Sequence, residues 1–88
     1  MKIGGVTGWM AAAALADAAS LPLSSHIFVE ASSRTLQVTP TCDWLEYLYF
    51  AGAILETPYP VTNGTVCPAG PGLGIAWNEE AVSRYAVQ

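Results

Sequence analysis

The sequence contains two residues whose types and positions could support proton transfer. His26 is the only histidine among the 88 residues and ends a short, partly apolar stretch. Glu46 is unusual because it lies in the middle of the aromatic and apolar run Cys42–Phe50. Imidazole and carboxyl groups are common general acids and bases in enzymes. Each residue taken alone is more typical of a solvated surface. Their types therefore indicate chemistry only if the fold places them at strand ends where active sites form.

Two strands and two helices are predicted to position these residues. The stretch Leu21–His26 is bounded by turn signals and predicts a strand that ends at His26, and Cys42–Phe50 predicts a second strand around Glu46. The alanine-rich run before them predicts a helix from about Gly8 to Ala19. A weaker helix is predicted over Val29–Val38, between the two strands. Thr7 is expected to cap the first helix.

The order of these elements indicates the α/β class. Helix, strand, helix, strand is the alternation expected where strands run parallel. Two parallel strands leave open edges, and open edges invite association. The pattern is therefore typical of a piece of a larger sheet or barrel.

The C-terminal residues carry signals of turns and short elements. Asn63-Gly64 within Val61–Val66 predicts a β-hairpin with a type I′ turn. Pro68–Gly74 is a glycine and proline loop. Asn78 is the predicted N-cap of a last helix that runs through Tyr85, and two acidic residues follow it at the positive end of the helix.

The composition excludes some partners and indicates that parts of the chain are covered. The sequence is 52% hydrophobic and only 11% charged, whereas a soluble domain is typically about 25% charged. We therefore expect some apolar surface to be covered by polypeptide beyond these residues. The net charge of −4 offers no basic patch for nucleic acid. No apolar run approaches the roughly 20 residues of a membrane span.

The two cysteines and the N-terminal residues leave two locations open. Cys42 and Cys67 are separated by 25 positions and have no zinc-binding spacing, so the favoured interpretation is a pair of reduced thiols in a cytoplasmic protein. The alternative is a small secreted or binding module. In that alternative the segment up to about Ala18 is a cleaved signal peptide, the two cysteines pair, and Asn63-Gly64-Thr65 is a glycosylation sequon.

Three blocks of residues resemble one enzyme family, in the correct order and over nearly the whole chain. They are Lys2–Trp9 (KIGGVTGW), Ser24–Phe28 (SSHIF) and Thr39–Glu46 (TPTCDWLE), followed by Pro71–Ile75 and the last helix. Together they are similar to the mandelate racemase/muconate lactonizing enzyme family of the enolase superfamily. The resemblance implies that residues 1–50 are the end of a (β/α) TIM-like barrel. It implies that residues 51–88 are a C-terminal tail with the hairpin and the last helix.

The resemblance also implies a reaction and roles for the two candidate residues. Family members abstract the proton α to a carboxylate and stabilise the enediolate on Mg²⁺. His26 would be a catalytic base or acid at the end of the seventh barrel strand. Glu46, at the eighth strand, would be both catalytic and substrate-binding, because as a protonated acid it would donate a hydrogen bond to the substrate carboxylate. Lys2 is expected to be a peripheral charge.

Other parts of the machinery implied by the family lie outside the sequence. The Mg²⁺ ligands, a lysine base, the capping domain and the aspartate that orients the histidine, just before Met1, are not among these residues. No metal or cofactor ligand is therefore assigned to this chain. We expect the chain alone to be inactive and to need the missing N-terminal part, or to form a homo-oligomer. Its substrate would be a small carboxylate, either a 2-hydroxy acid or an acid sugar, and racemase, dehydratase and cycloisomerase reactions stay open. Ser33-Arg34-Thr35 departs from the more apolar sequence usual in the family.

Overall fold

The structure, a computed structural model, describes residues 2–87 as a small α/β piece with short elements. The elements are helix α1 (Gly5–Ala18), helix α2 (Val29–Gln37), a 3₁₀ turn (Gly52–Ile54), strands β1 (Val61–Thr62) and β2 (Thr65–Val66), and helix α3 (Glu79–Arg84). Within these residues no helix combines the length and the apolar character needed to cross a membrane.

Helix α1 begins at Gly5, three residues earlier than predicted. Its N-cap is Gly4, which has a left-handed φ of 90° and provides no side-chain cap. Thr7 lies inside the helix, so the predicted Thr7 cap is wrong. The reason is that glycine reaches positive φ without a steric penalty, which allows the chain to turn into the helix before a side-chain cap is needed. A methyl group at Gly8 would overlap the carbonyl oxygen of Ile3, which lies against this turn of the helix.

The core lies where α1 packs against α2. Trp9 and Ala13 of α1 and Leu36 of α2 form a buried cluster, with the partly buried Leu23 and Leu45 packed against it. Other apolar side chains of α1 are exposed, among them Val6, Met10 and Leu15. Whether polypeptide beyond these residues covers them, as the low charge of the sequence predicts, stays a prediction.

A buried chain of hydrogen bonds fixes the indole in this core. The Trp9 Nε1 group donates to Thr39 Oγ1 at 2.9 Å, and that hydroxyl donates to the carbonyl oxygen of Thr35 at 2.7 Å. Both threonines are buried. Because buried polar groups without partners are costly, these contacts allow Trp9 to be buried without leaving its N–H unsatisfied.

The two predicted strands are reduced to a single parallel bridge between Leu23 and Cys42. The amide of Leu23 donates to Thr41 O at 2.8 Å and the amide of Asp43 donates to Leu23 O at 3.1 Å, which is regular parallel pairing. The next bond runs from Ser25 N to Trp44 O at 2.9 Å. The acceptor has therefore moved three residues while the donor has moved two, a slip of the kind that a bulge produces. The strands predicted over 21–26 and 42–50 are wrong in extent, whereas the parallel direction is confirmed.

In the C-terminal residues the structure agrees with the turn and cap predicted from short sequence motifs. β1 and β2 form an antiparallel hairpin with Val61 opposite Val66. Asn63 and Gly64 have φ of 51° and 73°, the two positive values that a type I′ turn requires. The side chain of Asn78 accepts a hydrogen bond from the amide of Ala81 at 2.9 Å. The predicted hairpin and the predicted cap of α3 are both confirmed.

The polar segment Ser33-Arg34-Thr35 of α2 connects the two halves of the chain. Ser33 and Thr35 are buried, and the Arg34 guanidinium donates to the carbonyl oxygens of Ala69 and Gly70, at 2.8 Å for Gly70. Where the family resemblance led us to expect a more apolar helix, this helix therefore uses a cation to hold the loop that precedes α3.

Candidate active site

The structure brings the two predicted site residues, twenty positions apart, into direct contact. His26 Nδ1 lies 2.7 Å from Glu46 Oε2. The His26 side chain is 80% exposed and that of Glu46 is 41% exposed. The pair is therefore open to a small molecule from solvent. The catalytic roles assigned to these residues stay predictions.

Two serine hydroxyls hold the backbone beside this pair. Ser25 Oγ accepts from the amide of Glu46 at 3.1 Å, and Ser24 Oγ accepts from the amide of Trp44 at 3.2 Å. After the register slip these amides no longer face backbone carbonyls, and the hydroxyls replace the missing acceptors. The sequence indicates the two serines only as part of the motif before His26, and their role as acceptors for backbone amides is not predicted from it. Their short side chains at two successive positions were the available signal.

A strained turn follows His26 and is tied to the same carboxylate. Ile27 and Phe28 have left-handed φ of 57° and 51°, which is a costly conformation for a β-branched or bulky residue. The amide of Ile27 donates to Glu46 Oε2 at 2.9 Å. The hydroxyl of Ser32, which is fully buried, donates to the carbonyl oxygen of Ile27 at 2.7 Å. This turn ends the extended segment at His26 and starts α2 at once.

A cavity of about 340 Å³ opens beside His26. Ile3, Leu23 and Phe28 contribute apolar side chains to its lining, and Lys2 also lines it. A larger cavity of about 410 Å³ lies between α2 and the hairpin and is lined by neither His26 nor Glu46. The smaller cavity is therefore the space that a ligand of His26 would use, and Glu46 is not among the residues that line it.

The residues that the structure describes do not provide a metal-binding set. Among positions 2–87 no three or more histidine, cysteine, aspartate or glutamate side chains cluster closely enough to hold a metal ion. His26 and Glu46 contact each other without a third such group. The side chains of residues 2–87 alone therefore do not fit a Mg²⁺ ion.

Tyr47 and Tyr49 follow Glu46 and stack with ring centroids 5.8 Å apart. Desolvation raises the pKa of the Tyr49 hydroxyl, and the neighbouring Tyr47 and Glu30 raise this pKa further. Tyr49 is therefore held in its neutral form at physiological pH.

Comparison with known proteins gives consistent matches. Residues 1–81 match the model of a family described as enolase C-terminal domain-like. A D-gluconate dehydratase from Thermoproteus tenax is 35% identical, with the match covering 99% of this chain and 20% of that protein.

Two solved structures are also similar. An enolase from Bradyrhizobium complexed with magnesium and mandelic acid is 59% identical, with a TM-score of 0.92 over 97% of this chain and 24% of that one. An enolase from alpha proteobacterium bal199 with bound magnesium is 42% identical, with a TM-score of 0.88 over 93% of this chain and 23% of that one. The chain thus spans between a fifth and a quarter of the length of these relatives.

Proposed function

Because the chain belongs to the enolase C-terminal domain-like family of mandelate racemase/muconate lactonizing-type enzymes, we propose that it carries proton-transfer residues of an enzyme that acts on the α-carbon of a carboxylate. The observation that carries the proposal is the exposed His26–Glu46 pair, with 2.7 Å between Nδ1 and Oε2. The pair lies at the end of two parallel segments, where active sites of (β/α) barrels form.

His26 is proposed as the group that takes up or delivers the substrate proton. It lines the cavity and is well exposed, so its ring can reach a bound ligand. A positioned acid or base contributes about 10²–10⁴-fold to such a reaction. Glu46 is proposed to contact the substrate carboxylate as a hydrogen-bond donor, through Oε1. The hydrogen bonds described for this carboxyl group all involve Oε2, which leaves Oε1 for a ligand.

The cavity supports a 2-hydroxy acid with an apolar substituent as substrate. Its lining is largely apolar, and the positive charge of Lys2, one of its lining residues, would attract a carboxylate. The relative from Bradyrhizobium was crystallised with mandelic acid, a compound of that class. Racemisation of such an acid is the reaction that we favour.

Dehydration of an acid sugar is the second candidate, and the D-gluconate dehydratase relative supports it. In that reaction the α-proton is removed and a β-hydroxyl group leaves as water. A histidine at this place could protonate the departing oxygen. The same pair would serve both reactions, and the polypeptide that covers the cavity would select between them.

The metal and the remaining machinery are proposed to come from polypeptide beyond these residues. Relatives contain magnesium, which in such a reaction stabilises the negative charge on the carboxylate oxygens. The part of the chain that the structure describes has no cluster of ligands for it, and we expect the chain alone to be inactive. We also propose a cytoplasmic location, in keeping with the free thiols of Cys42 and Cys67.

A chimera tests this proposal. This chain would replace the corresponding quarter of the Bradyrhizobium relative, to which it is 59% identical, and the unmodified relative would be the reference. Exchange of the α-proton of mandelate would be followed by ¹H NMR in deuterated buffer with Mg²⁺, with D-gluconate in a parallel reaction monitored for loss of water. We expect exchange by the chimera and none by the isolated chain.

Substitutions identify the residues responsible. His26→Asn should reduce exchange on the enantiomer that His26 serves by at least about 10²-fold, whereas Glu56→Gln, which changes an exposed carboxylate away from the site, should leave the rate unchanged. A chimera that exchanges the proton equally well with His26→Asn would contradict the assignment.

A further inference from the structure

We propose that the cavity between α2 and the β1–β2 hairpin is a binding site for a small alkylammonium cation. The inference goes beyond the proposed function, because this cavity of about 410 Å³ is lined by neither His26 nor Glu46. Its volume lies in the range of pockets that bind small molecules.

Aromatic side chains in the lining of the cavity suit a cation. Trp44 and Tyr47 both line it. The Tyr47 hydroxyl donates to Tyr59 O at 2.6 Å, and the Tyr47 ring stacks with that of Tyr49, with 5.8 Å between the ring centroids. Tyr47 is therefore held at its hydroxyl and at its ring. Because aromatic rings attract alkylammonium groups, a cation in this cavity would meet a ring that is already fixed in place.

The cavity also has a carboxylate and lacks a basic group. Asp43 lines it, and none of the described residues in its lining is lysine, arginine or histidine. The part of the chain that the structure describes contains two ion pairs, and Asp43 belongs to neither. Asp43 is exposed, so its negative charge is accessible to a ligand. The charge of the cavity therefore favours a cation over an anion.

The three basic side chains of the sequence all have other positions or partners. Lys2 lines the smaller cavity. Arg34 donates to carbonyl oxygens of the loop before α3, and Arg84 is paired within α3. None of them serves Asp43, so a complementary positive charge would come from a bound molecule.

A buried hydroxyl group adds a polar contact. Ser33 is 5% exposed, and its Oγ has no hydrogen-bond partner among the described residues. Ser33, Leu36 and Gln37 all line the cavity, and their spacing of three and four positions places them on one face of α2. Because a buried polar group without a partner is costly, a ligand that carries a hydroxyl group as well as a positive charge would be favoured.

Choline tests the proposal, since it combines a trimethylammonium group with a hydroxyl group. Its neutral carbon isostere, in which a tert-butyl group replaces the trimethylammonium group, has the same shape without the charge. Each compound would be titrated into the ¹⁵N-labelled 88-residue chain, and amide chemical shifts would be followed by NMR. We expect saturable shifts with choline at Ser33, Leu45 and Thr65, none around His26, and weaker binding of the isostere.

Variants identify the groups that bind the cation. Asp43→Asn should weaken choline binding by about 5-fold, the effect of one unit charge roughly 4 Å away in water, and should leave binding of the isostere unchanged. Trp44→Leu should weaken choline binding by about 3-fold, and because Trp44 is 74% exposed the fold should be retained. Asp17→Asn, which changes an exposed carboxylate of α1, is the control and should leave choline binding unchanged.

Equal affinities for choline and its neutral isostere would overturn the proposal, as would the absence of saturable shifts with choline. Tighter binding of Nα-acetyl-lysine methylamide than of choline would also overturn it, since the cavity would then be assigned to a lysine side chain of another polypeptide. None of these results depends on the activity of the chimera, so the proposal and the proposed function can fail separately.

Discussion

Residues 2–50 and residues 51–87 are held together in different ways. The first region depends on contacts between distant residues, such as Trp9 with Thr39 and His26 with Glu46. The second region combines local turns, including the hairpin turn at Asn63-Gly64 and the cap at Asn78, with one antiparallel bridge between Leu55 and Trp77. The division at residue 50 follows the predicted barrel end and tail, and stays a prediction.

The difference between the two regions indicates which of them can form an active site. The site needs two segments that are twenty positions apart to meet closely, and these segments pack on the buried cluster of Trp9, Ala13 and Leu36 in the first region. The second region contacts the first through a few polar attachments. Arg34 donates to two loop carbonyls, and the hydroxyl of Tyr47 donates to Tyr59 O at 2.6 Å. We therefore expect substitutions in the core to affect the site, and substitutions in the tail to act locally.

Replacing Trp9 with alanine should have the largest effect, because it removes the central side chain of the first region. Loss of a buried tryptophan costs about 3–5 kcal/mol, and Thr39 would lose the indole N–H that donates to it. This cost is comparable to the total stability of a small domain, so the chain should lose its folded state. Urea denaturation followed by far-ultraviolet circular dichroism would measure the change.

Trp44→Ala is the matched control, since Trp44 belongs to the same region and is 74% exposed. It should change the midpoint of denaturation only slightly. If the two variants unfolded at the same urea concentration, the packing around Trp9 would not be what holds the first region together.

Replacing Arg34 with alanine should have an intermediate effect and should separate the two regions. The guanidinium makes two hydrogen bonds to the loop, and hydrogen bonds to charged groups contribute about 1.5–3 kcal/mol. Because the side chain is partly exposed, we expect a value near the lower limit. Hydrogen exchange should accelerate in the loop that follows Cys67, while the amides around His26 keep their protection.

Arg84→Ala provides the comparison for Arg34. Arg84 pairs with Glu80 one helical turn away on an exposed surface, where ion pairs contribute little. Its removal should leave exchange in the loop unchanged. Equal acceleration in both variants would show that general loss of positive charge, and not the attachment by Arg34, controls the loop.

The contrast between the regions also explains what the sequence could predict. The hairpin and the cap of α3 were predicted because residues within four positions of each other determine them. The two strands were not, because strand pairing depends on neighbours, and here a slip at Trp44 and the hydroxyls of Ser24 and Ser25 replace a regular ladder.

The candidate site, like the two strands, could be predicted from the sequence only in part. The family resemblance singled out both His26 and Glu46, but gave them separate partners. Their mutual contact depends on the left-handed turn at Ile27-Phe28, and no residue type there signals such a turn. Isoleucine is among the residues least expected to adopt it. The residue patterns therefore identified His26 and Glu46, whereas the strained turn beside them is seen only in the structure.

Replacing Gly64 with alanine should have the most local effect of the three, because it tests a single turn of the second region. Gly64 has a φ of 73° and no atom lies within 4 Å of the position that a methyl group would occupy. The cost is therefore conformational, about 1–2 kcal/mol for an L-residue in the left-handed region. Gly64→Asn should cost less, because asparagine tolerates that conformation better.

Amide chemical shifts should change at Val61 and Val66 but not around His26. A shift of the His26 resonances in Gly64→Ala would mean that the hairpin and the site are coupled, and the separation of the two regions would then be wrong.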